Sequence, residues 1–301
     1  MGGLTPQQLR LPYRPPCDVA ALVRFFAARA VPGVEHIDGD VYVRSIRLPG
    51  GSGVIALRPG TGRSDDDVDA KLWLTDPSDL DAAVAAARRL LDLDTDPAPI
   101  VAALGNDELI GKIVQSAPGR RVPGHAGADE IAIRAVLGQQ VSLAGAATLA
   151  ARLVNAWGER LEQPIGSVTH LFPSAAALAE ADPDQLAMPW SRRRALIGLA
   201  RALADGNPVL DTGVMAQDEI ERRLLALPGI GPWTVAYIAM RALGDADAFM
   251  PTDLGVRHGL ERLGHDGRPP SAERIAERWR PYRAYATQHL WAQAASSPHT
   301  A

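Results

Sequence analysis

The sequence predicts an α+β fold, in which an N-terminal antiparallel sheet with helices is followed by an all-helical body. Apolar and polar residues alternate in short segments between residues 41 and 74, which is the period of a half-buried strand. From about residue 100 this strand signal is lost, and apolar residues recur at helical spacing instead. The length of 301 residues suits two or three packed subdomains.

The N-terminal part, residues 1–98, is predicted to contain the sheet. Extended segments begin at 41, 54 and 71, and Gly50 and Gly51 supply a turn between the first two. Helical spacing flanks them at 18–31 and 79–93, and Asp18 is the predicted N-cap of the first helix. The segment DTDPAPI at 94–100 contains two prolines that stop a helix, so we place a domain boundary after residue 98.

The remaining part, residues 99–301, is predicted to be helical. Each predicted helix shows apolar residues three to four positions apart and is bounded by glycine, proline or a capping serine or aspartate. The predicted helices lie at 128–138, 142–156, 174–181, 190–204, 215–226, 232–243, 254–263, 271–279 and 282–295.

Composition excludes several classes of protein. Apolar residues make up 47% of the chain, yet no apolar run approaches the roughly 20 residues that span a bilayer. The N-terminus lacks the basic-then-apolar layout of a secretory signal, so we expect a cytoplasmic protein without a membrane partner. Cys17 is the sole cysteine, which excludes an internal disulfide, a thiolate zinc site and an iron–sulfur cluster held by four cysteines.

Charge is distributed unevenly along the chain. Residues 64–97 contain ten aspartates against one lysine and two arginines, a local net charge of −7. The rest of the chain therefore carries +3, since the whole chain carries −4. This asymmetry is compatible with an acidic face turned away from a polyanion such as DNA. Arginines recur beyond it at 120, 121, 134, 192–194, 222, 223, 241 and 257.

A glycine-rich break separates two predicted helices in LPGIGPWTVAYIAM, residues 227–240. Gly229 and Gly231 allow positive φ and close approach of a ligand to the main chain. Pro232 suits the first position of the second helix, whose free N–H groups and dipole offer a seat for one phosphate. A tight αα-hairpin without a ligand explains the glycines equally well, so the spacing alone leaves both interpretations open.

The longer string is more specific. LPGIGPWTVA, followed about twenty residues later by Asp253, resembles the helix-hairpin-helix, Gly/Pro-rich loop and aspartate signature of the base-excision DNA glycosylase superfamily. Three further stretches resemble the bacterial 3-methyladenine DNA glycosylase II family in the same order. They are PPCDVAALVRFFAARAVPGVE (15–35), AVLGQQVSLAGA (135–146) and ERWRPYRAYATQHLW (277–291).

The resemblance implies an architecture and an activity. It implies two mostly α-helical subdomains after the sheet domain. One is the central part at about 126–245, and in the other residues 99–125 pack with residues 246–301. A cleft lies between the two subdomains. It also implies a DNA glycosylase that flips out and excises alkylated, cationic purines such as 3-methyladenine and leaves an abasic site. Lysine stands at the position of Trp233 in relatives that also cut the strand, so we expect a monofunctional enzyme.

Several residues acquire roles from the resemblance. Asp253, which pattern alone predicts to be a helix N-cap, matches the catalytic aspartate. Its carboxylate either stabilises the positive sugar of the transition state or activates the attacking water. Trp233, Tyr237, Trp291 and Phe25 match aromatic positions of the base pocket, where a cationic base is attracted to ring faces. Trp233 and Tyr237 are four residues apart and share a helix face.

The DNA contacts implied by the resemblance centre on the hairpin. The N–H groups of Gly229, Gly231 and Thr234 face a phosphate, and Gln140 fills the gap left by the flipped base, where a relative has leucine. Main-chain carbonyls of Leu225, Leu227 and Gly229 match a structural Na⁺ or K⁺ site, and no other cofactor is expected.

Partners and alternatives follow from the same residues. We expect a monomer that binds double-stranded DNA containing alkylated bases. One alternative is a non-catalytic helix-hairpin-helix protein that binds DNA or senses damage. A second alternative is a bifunctional glycosylase and lyase.

Overall fold

The N-terminal sheet has five antiparallel strands in the computed structural model, which describes residues 4–60 and 66–295. In the order β1-β5-β4-β3-β2, neighbouring strands are hydrogen-bonded. The predicted sheet is confirmed, although β1 and β2 were not predicted. The strands are β1 (Gln7–Pro12), β2 (Glu35–Asp38), β3 (Val41–Leu48), β4 (Gly51–Pro59) and β5 (Asp67–Leu74).

Two helices, α1 (Val19–Ala27) and α2 (Leu80–Leu90), pack on this sheet. Asp18 caps α1 as predicted, because its Oδ1 accepts a hydrogen bond from the N–H of Ala21 at 2.8 Å. Leu22 and Phe26 of α1 are buried against strand residues, with the ring of Phe26 stacked on Tyr42 at 4.7 Å. Phe25, the neighbour of Phe26, is half-buried, packs against this core and also lines the cleft described below.

The rest of the chain is largely helical, as predicted. The helices are α3 (Pro97–Leu104), α4 (Gly111–Ser116), α5 (Ala128–Leu137), α6 (Leu143–Trp157), α7 (Ala175–Ala179), α8 (Trp190–Ala204), α9 (Gln217–Leu225), α10 (Pro232–Ala242), α11 (Leu254–Arg262), α12 (Pro269–Ala276) and α13 (Arg283–Ala295). Short 3₁₀ turns lie at Pro77–Asp79, Pro183–Gln185 and Glu277–Trp279.

The prediction of no strands after residue 100 is wrong at one place. A two-stranded hairpin, β6 (Arg160–Ile165) and β7 (Val168–His170), turns at Gly166, which has φ +57°. Its apolar side chains are buried against Val54 of the five-stranded sheet. The hairpin gains its stability from this tertiary contact, which a local periodicity does not record.

The two prolines near the predicted boundary begin a helix rather than only ending one. Pro97 occupies the first turn of α3, where no intrahelical N–H is required, and Asp96 accepts from the N–H of Ala98 at 3.0 Å. The boundary after residue 98 stays a prediction, and it falls inside this first turn.

Three main apolar cores organise the described residues. One lies between the sheet and α1 and α2, and a second joins α5, α6, α8, α9 and part of α10. The third combines residues between 100 and 122 with residues between 239 and 290, around the fully buried Trp279. Among residues 4–60 and 66–295, no helix has the length and apolar character needed to cross a membrane.

Candidate active site

Asp253 stands at the start of α11 and at the edge of a large cleft. The carboxylate is the N-cap that the sequence predicts, because Oδ1 accepts from the N–H of Val256 at 3.0 Å. The side chain is half-buried and lines a cleft of about 1470 Å³. That cleft is bordered by α1, α5, α6, α10 and α13, so several parts of the chain meet at one carboxylate.

Two indoles hold the carboxylate in place. The Nε1–H of Trp291 donates to Oδ1 of Asp253 at 2.7 Å, and the Nε1–H of Trp233 donates to Oδ2 at 3.0 Å. Together with the N–H of Val256, these contacts use three of the roughly four acceptor positions of a carboxylate. The group is therefore fixed in orientation and retains capacity for about one further donor, such as a water molecule.

The four predicted aromatic residues meet in two stacks that flank Asp253. The rings of Trp233 and Tyr237 stack at 5.3 Å with 21° between their planes, which agrees with their shared face on α10. The rings of Phe25 and Trp291 stack at 6.3 Å with 15° between their planes. Because Phe25 belongs to α1, the sheet domain supplies one wall of the cleft.

Sequence reasoning missed two arginines in this aromatic wall. The guanidinium carbon of Arg29 lies 3.7 Å from the centre of the Phe25 ring, and that of Arg241 lies 4.9 Å from it. Each arginine follows an aromatic residue by four positions, Phe25 and Tyr237 respectively. For Tyr237 and Arg241 on α10 this spacing signals contact on one helix face, whereas Arg29 lies just beyond the end of α1. The Phe25 ring is thus already in contact with protein cations.

Burial and the charges of neighbouring arginines change the pKa values of Arg29 and Tyr237 in this wall of the cleft. Burial lowers the pKa of Arg29 to about 10, and repulsion from Arg241 and Arg134 acts in the same direction. Burial alone raises the pKa of a phenol, but Arg241, Arg29 and Arg134 outweigh burial and lower the pKa of Tyr237. The guanidinium of Arg241 also donates to the Tyr237 hydroxyl at 2.9 Å.

Gly255 is a second residue that sequence reasoning missed. A Cβ atom at this position would lie 2.5 Å from Cδ1 and 2.9 Å from Nε1 of Trp291. Such distances are not tolerated, so the absence of a side chain lets the indole of Trp291 reach Asp253 across the first turn of α11. Gly259, one turn later, similarly leaves room for the backbone of Leu290, which brings α13 close to α11.

The two hairpin glycines differ in backbone conformation. Gly229 has φ +84°, and a Cβ there would lie 2.6 Å from Cβ of Ala195 in α8. Gly231 has φ −104° and faces open space, so the expectation of positive φ is wrong for Gly231. Gly231 precedes α10 without a side-chain cap, and Pro232 occupies the first helical position. The first turn of α10 therefore offers uncapped N–H groups to a ligand.

A glutamine ties the hairpin to the loop between α5 and α6. The Nε2 of Gln139 donates to the carbonyl of Gly229 at 3.1 Å and to Oγ1 of the buried Thr234 at 3.0 Å. The side chain of Thr234 is thus used inside the protein, while its main-chain N–H belongs to the uncapped turn. The loop and the hairpin are held as one surface.

The carbonyls expected to bind a monovalent cation retain acceptor capacity. The carbonyl of Leu227 accepts from the N–H of Ile230 at 3.1 Å, and that of Gly229 accepts from Gln139. Each carbonyl oxygen has a second lone pair, and the half-exposed Leu225 lies at the surface of the hairpin. These oxygens suit a hard cation in donor type.

Gln140 projects from the same loop at the mouth of the cleft. Its φ of +55° places it in the left-handed region, and its side chain is exposed. Three residues later Leu143 is 48% exposed and lines the same cleft, an unusual position for a leucine. Ser142 between them is a helix cap, since its Oγ accepts from the N–H of Gly145 at 3.1 Å.

The cleft contains neither a lysine nor a group of metal ligands among the residues that the structure describes. The sequence has lysines at positions 71 and 112 only, and neither lines the cleft. Within residues 4–60 and 66–295, no group of three or more His, Cys, Asp or Glu side chains could hold a metal ion.

Two family models match the chain. The AlkA N-terminal domain matches residues 8–127, and the model described as "HhH-GPD superfamily base excision DNA repair protein" matches residues 133–283, half of the chain. The chain belongs to the HhH-GPD superfamily. The resemblance inferred from the hairpin and Asp253 is therefore confirmed.

Curated relatives support the assignment of the chain to this superfamily. The chain is 35% identical to DNA-3-methyladenine glycosylase 2 of Escherichia coli, over 93% of this chain and 95% of the relative. It is 47% identical to a probable bifunctional transcriptional activator/DNA repair enzyme AlkA of Mycobacterium tuberculosis, over 94% of this chain. The match spans 56% of that longer relative, so the chain corresponds to about half of its length.

A solved structure supports the fold. A 3-methyladenine DNA-glycosylase from Archaeoglobus fulgidus superposes with a TM-score of 0.81 at 20% identity, covering 96% of this chain and 98% of the other. The α+β class, with an N-terminal antiparallel sheet followed by the helical HhH-GPD region, is confirmed.

Proposed function

We propose that this HhH-GPD protein is a monofunctional DNA glycosylase that excises alkylated purines such as 3-methyladenine by hydrolysing the N-glycosidic bond. The observation that carries the proposal is the carboxylate of Asp253, held by the indoles of Trp233 and Trp291 beside an aromatic cleft. The name of the E. coli relative supports the choice of lesion. The product is an abasic site in double-stranded DNA.

Asp253 serves the transition state through its charge. Departure of the base builds positive charge on the deoxyribose, and a fixed carboxylate nearby lowers the energy of that state. The indole N–H groups only donate, so they hold the carboxylate without competing for a proton. The remaining acceptor position suits a single water, which the same group orients for attack at C1′.

The aromatic residues form the pocket for the extruded base. A methylated purine carries a positive charge, which the electron-rich faces of Trp233, Trp291 and Tyr237 attract. Phe25 completes the wall from α1 by stacking on Trp291. Because the glycosidic bond of a cationic purine is already weakened, the pocket needs to supply mainly position and charge stabilisation.

DNA is held by the hairpin and opened by the loop beside it. The N–H groups of Gly229, Gly231 and Thr234, at the hairpin and the uncapped first turn of α10, bind a phosphate. Gln140 occupies the gap left by the flipped base and hydrogen-bonds the orphaned partner, while the exposed Leu143 supplies apolar contact.

Main-chain carbonyls of Leu225, Leu227 and Gly229 would hold a Na⁺ or K⁺ ion at the hairpin. When bound, such an ion adds positive charge beside the phosphate seat and reinforces the turn. We propose no further cofactor. We also propose that the protein acts as a cytoplasmic monomer.

The assignment as monofunctional rests on the absence of an amine in the right place. A lyase of this superfamily uses a lysine to form a Schiff base, and Trp233 stands at that position here. The side chains of Lys71 and Lys112 do not line the cleft, so neither is placed to attack a flipped nucleotide.

A panel of single-lesion duplexes tests the proposal. Duplexes containing 3-methyladenine, 7-methylguanine, hypoxanthine or 1-methyladenine are incubated with the protein and scored for abasic sites. We expect abasic sites at the first two lesions and no covalent adduct on borohydride treatment. Tight duplex binding without base release would instead support the non-catalytic alternative, and a trapped adduct would support the bifunctional one.

A further inference from the structure

Trp190, the first residue of α8, is the one exposed tryptophan among the six of the chain, all of which the structure describes. Its side chain is 57% exposed, whereas the other five are buried or half-buried. It belongs to none of the apolar cores formed by the described residues. Tryptophan is enriched at binding surfaces, because an indole supplies a large apolar face, so this position indicates a contact with a partner.

Two arginines beside Trp190 have charges that the protein does not use. Among residues 4–60 and 66–295, the guanidinium groups of Arg192 and Arg194 find no hydrogen-bond or ion-pair partner. Arg193 between them is used internally, since it donates to the carbonyl of Met188 at 2.8 Å and to Asp184 at 3.1 Å. Helix α8 carries four arginines and no acidic residue. Its charge therefore favours an anionic partner.

The start of α8 packs against the hairpin that is proposed to bind a phosphate. A Cβ at Gly229 would lie 2.6 Å from Cβ of Ala195 and 3.9 Å from the carbonyl oxygen of Ser191. Ser191 and Ala195 are four residues apart, so they form the face of α8 that contacts the hairpin. At 3.6 residues per turn, Arg192 and Arg194 flank this face on its two sides. The unpaired charges are thus continuous with the hairpin surface.

We propose that Trp190, Arg192 and Arg194 form a second DNA-binding surface, which extends the site at the hairpin along the duplex. The inference rests on the glycosylase function proposed above. DNA seated on the hairpin brings neighbouring phosphates past α8, and the two guanidinium groups bind them. Base flipping interrupts the stack, so an unpaired base stacks on the indole of Trp190, which shares a helix face with Arg194.

The salt dependence of DNA binding tests the arginine contacts. Affinity for an intact duplex and for a duplex with a tetrahydrofuran abasic-site analogue is measured by fluorescence anisotropy over a series of NaCl concentrations. Each lost phosphate contact reduces the slope of log K against log [NaCl] by about 0.9, and we expect this reduction in Arg192→Gln and in Arg194→Gln. Arg10→Gln removes one charge from an exposed, ion-paired arginine on β1 and is expected to keep the slope of the wild type.

The same two duplexes test the indole contact. Stacking of an aromatic ring on a base typically contributes about fivefold to a hundredfold in affinity. We therefore expect Trp190→Ala to bind the abasic duplex at least about fivefold more weakly than the wild type, with a smaller loss on the intact duplex, where the stack is closed. Trp190→Phe keeps an aromatic ring and is expected to bind with an affinity between those of the wild type and Trp190→Ala.

Release of 3-methyladenine by the wild type, measured beside these titrations, separates the two claims. Wild-type salt slopes in both arginine variants, or wild-type affinity of Trp190→Ala for the abasic duplex, would assign this surface to an occupant other than DNA. Either result overturns the inference, and the proposed function stands if the base is released. A wild type that releases no base while the variants behave as expected overturns the proposed function alone. A wild type that binds neither duplex overturns both.

Discussion

The indole N–H of Trp291 donates to Oδ1 of Asp253 at 2.7 Å, the shorter of the two indole contacts to this carboxylate. Trp291→Phe keeps an aromatic ring beside Phe25 and removes this donor. We expect the rate of base release to fall about tenfold, since a hydrogen bond to a charged group contributes about 1.5–3 kcal/mol. Single-turnover release and DNA affinity are measured together, with Trp73→Phe in the distant sheet as control. A loss of DNA affinity without a loss of rate would contradict this role.

Gly255 permits that hydrogen bond, so a single methyl group is expected to disturb it. In Gly255→Ala the new Cβ would lie 2.5 Å from Cδ1 of Trp291, and the indole must move away from Asp253. We expect base release to fall at least as far as in Trp291→Phe. Gly198→Ala in α8, where a Cβ meets open space, is the matched helical control and is expected to keep full activity. Equal activity of both variants would contradict the steric argument.

Alanine substitutions at the two hairpin glycines are expected to change different properties, protein stability at Gly229 and DNA affinity at Gly231. Gly229→Ala introduces a side chain at φ +84° and 2.6 Å from Cβ of Ala195. We therefore expect the free energy of unfolding, measured with denaturant, to fall by about 1–3 kcal/mol. Gly231→Ala meets no atom and needs no unusual φ, so stability is expected to be retained. In the proposed complex its methyl group stands where the phosphate approaches, so DNA affinity measured by fluorescence anisotropy is expected to fall. The reverse pattern would contradict the assignment.

Local signals predicted much of the site because the important residues lie close together in sequence. Trp233 and Tyr237 share a helix face by spacing, and the proline and glycines of the hairpin mark the start of α10 without any tertiary information. The N-cap role of Asp253 is equally local, since a capping carboxylate bonds to the N–H three residues later. These features needed no knowledge of packing.

Contacts between residues far apart in the sequence could not be predicted from local sequence patterns. The Phe25 to Trp291 stack joins residues far apart in the chain, and only a family resemblance placed both in one pocket. Gly255 is required by the indole of Trp291, which arrives from another helix. The hairpin of β6 and β7 was missed for the same reason, because its apolar side chains are buried against the distant sheet.

Two buried histidines predict how stability depends on pH. Burial lowers the pKa of His125 to about 3, helped by repulsion from Arg89 and Arg241, and burial with repulsion from Arg120 lowers that of His289 to about 3. Because the unfolded chain binds these protons below about pH 6.5 and the folded chain does not, the free energy of unfolding falls as pH decreases from about 6.5 towards 3.

The size of this effect is measurable by denaturant unfolding. Each histidine contributes about 1.4 kcal/mol per pH unit in that window, so the free energy of unfolding is expected to be about 2–3 kcal/mol lower near pH 5.5 than near pH 7.5. His289→Gln is expected to reduce this difference by about half. A flat profile between these pH values would contradict the assignment of both histidines as neutral.

Base release by Asp253→Asn tests the central claim most directly. Asparagine remains an N-cap for α11, so the helix is expected to stay intact, whereas Asp253→Ala is expected to lose about 1 kcal/mol of stability as well. The amide removes the negative charge and turns an N–H₂ group toward one of the two indole donors. The measurement is single-turnover release of 3-methyladenine from duplex DNA at matched DNA occupancy. We predict a fall of at least 100-fold with DNA binding retained; release at the rate of the wild type would contradict the account.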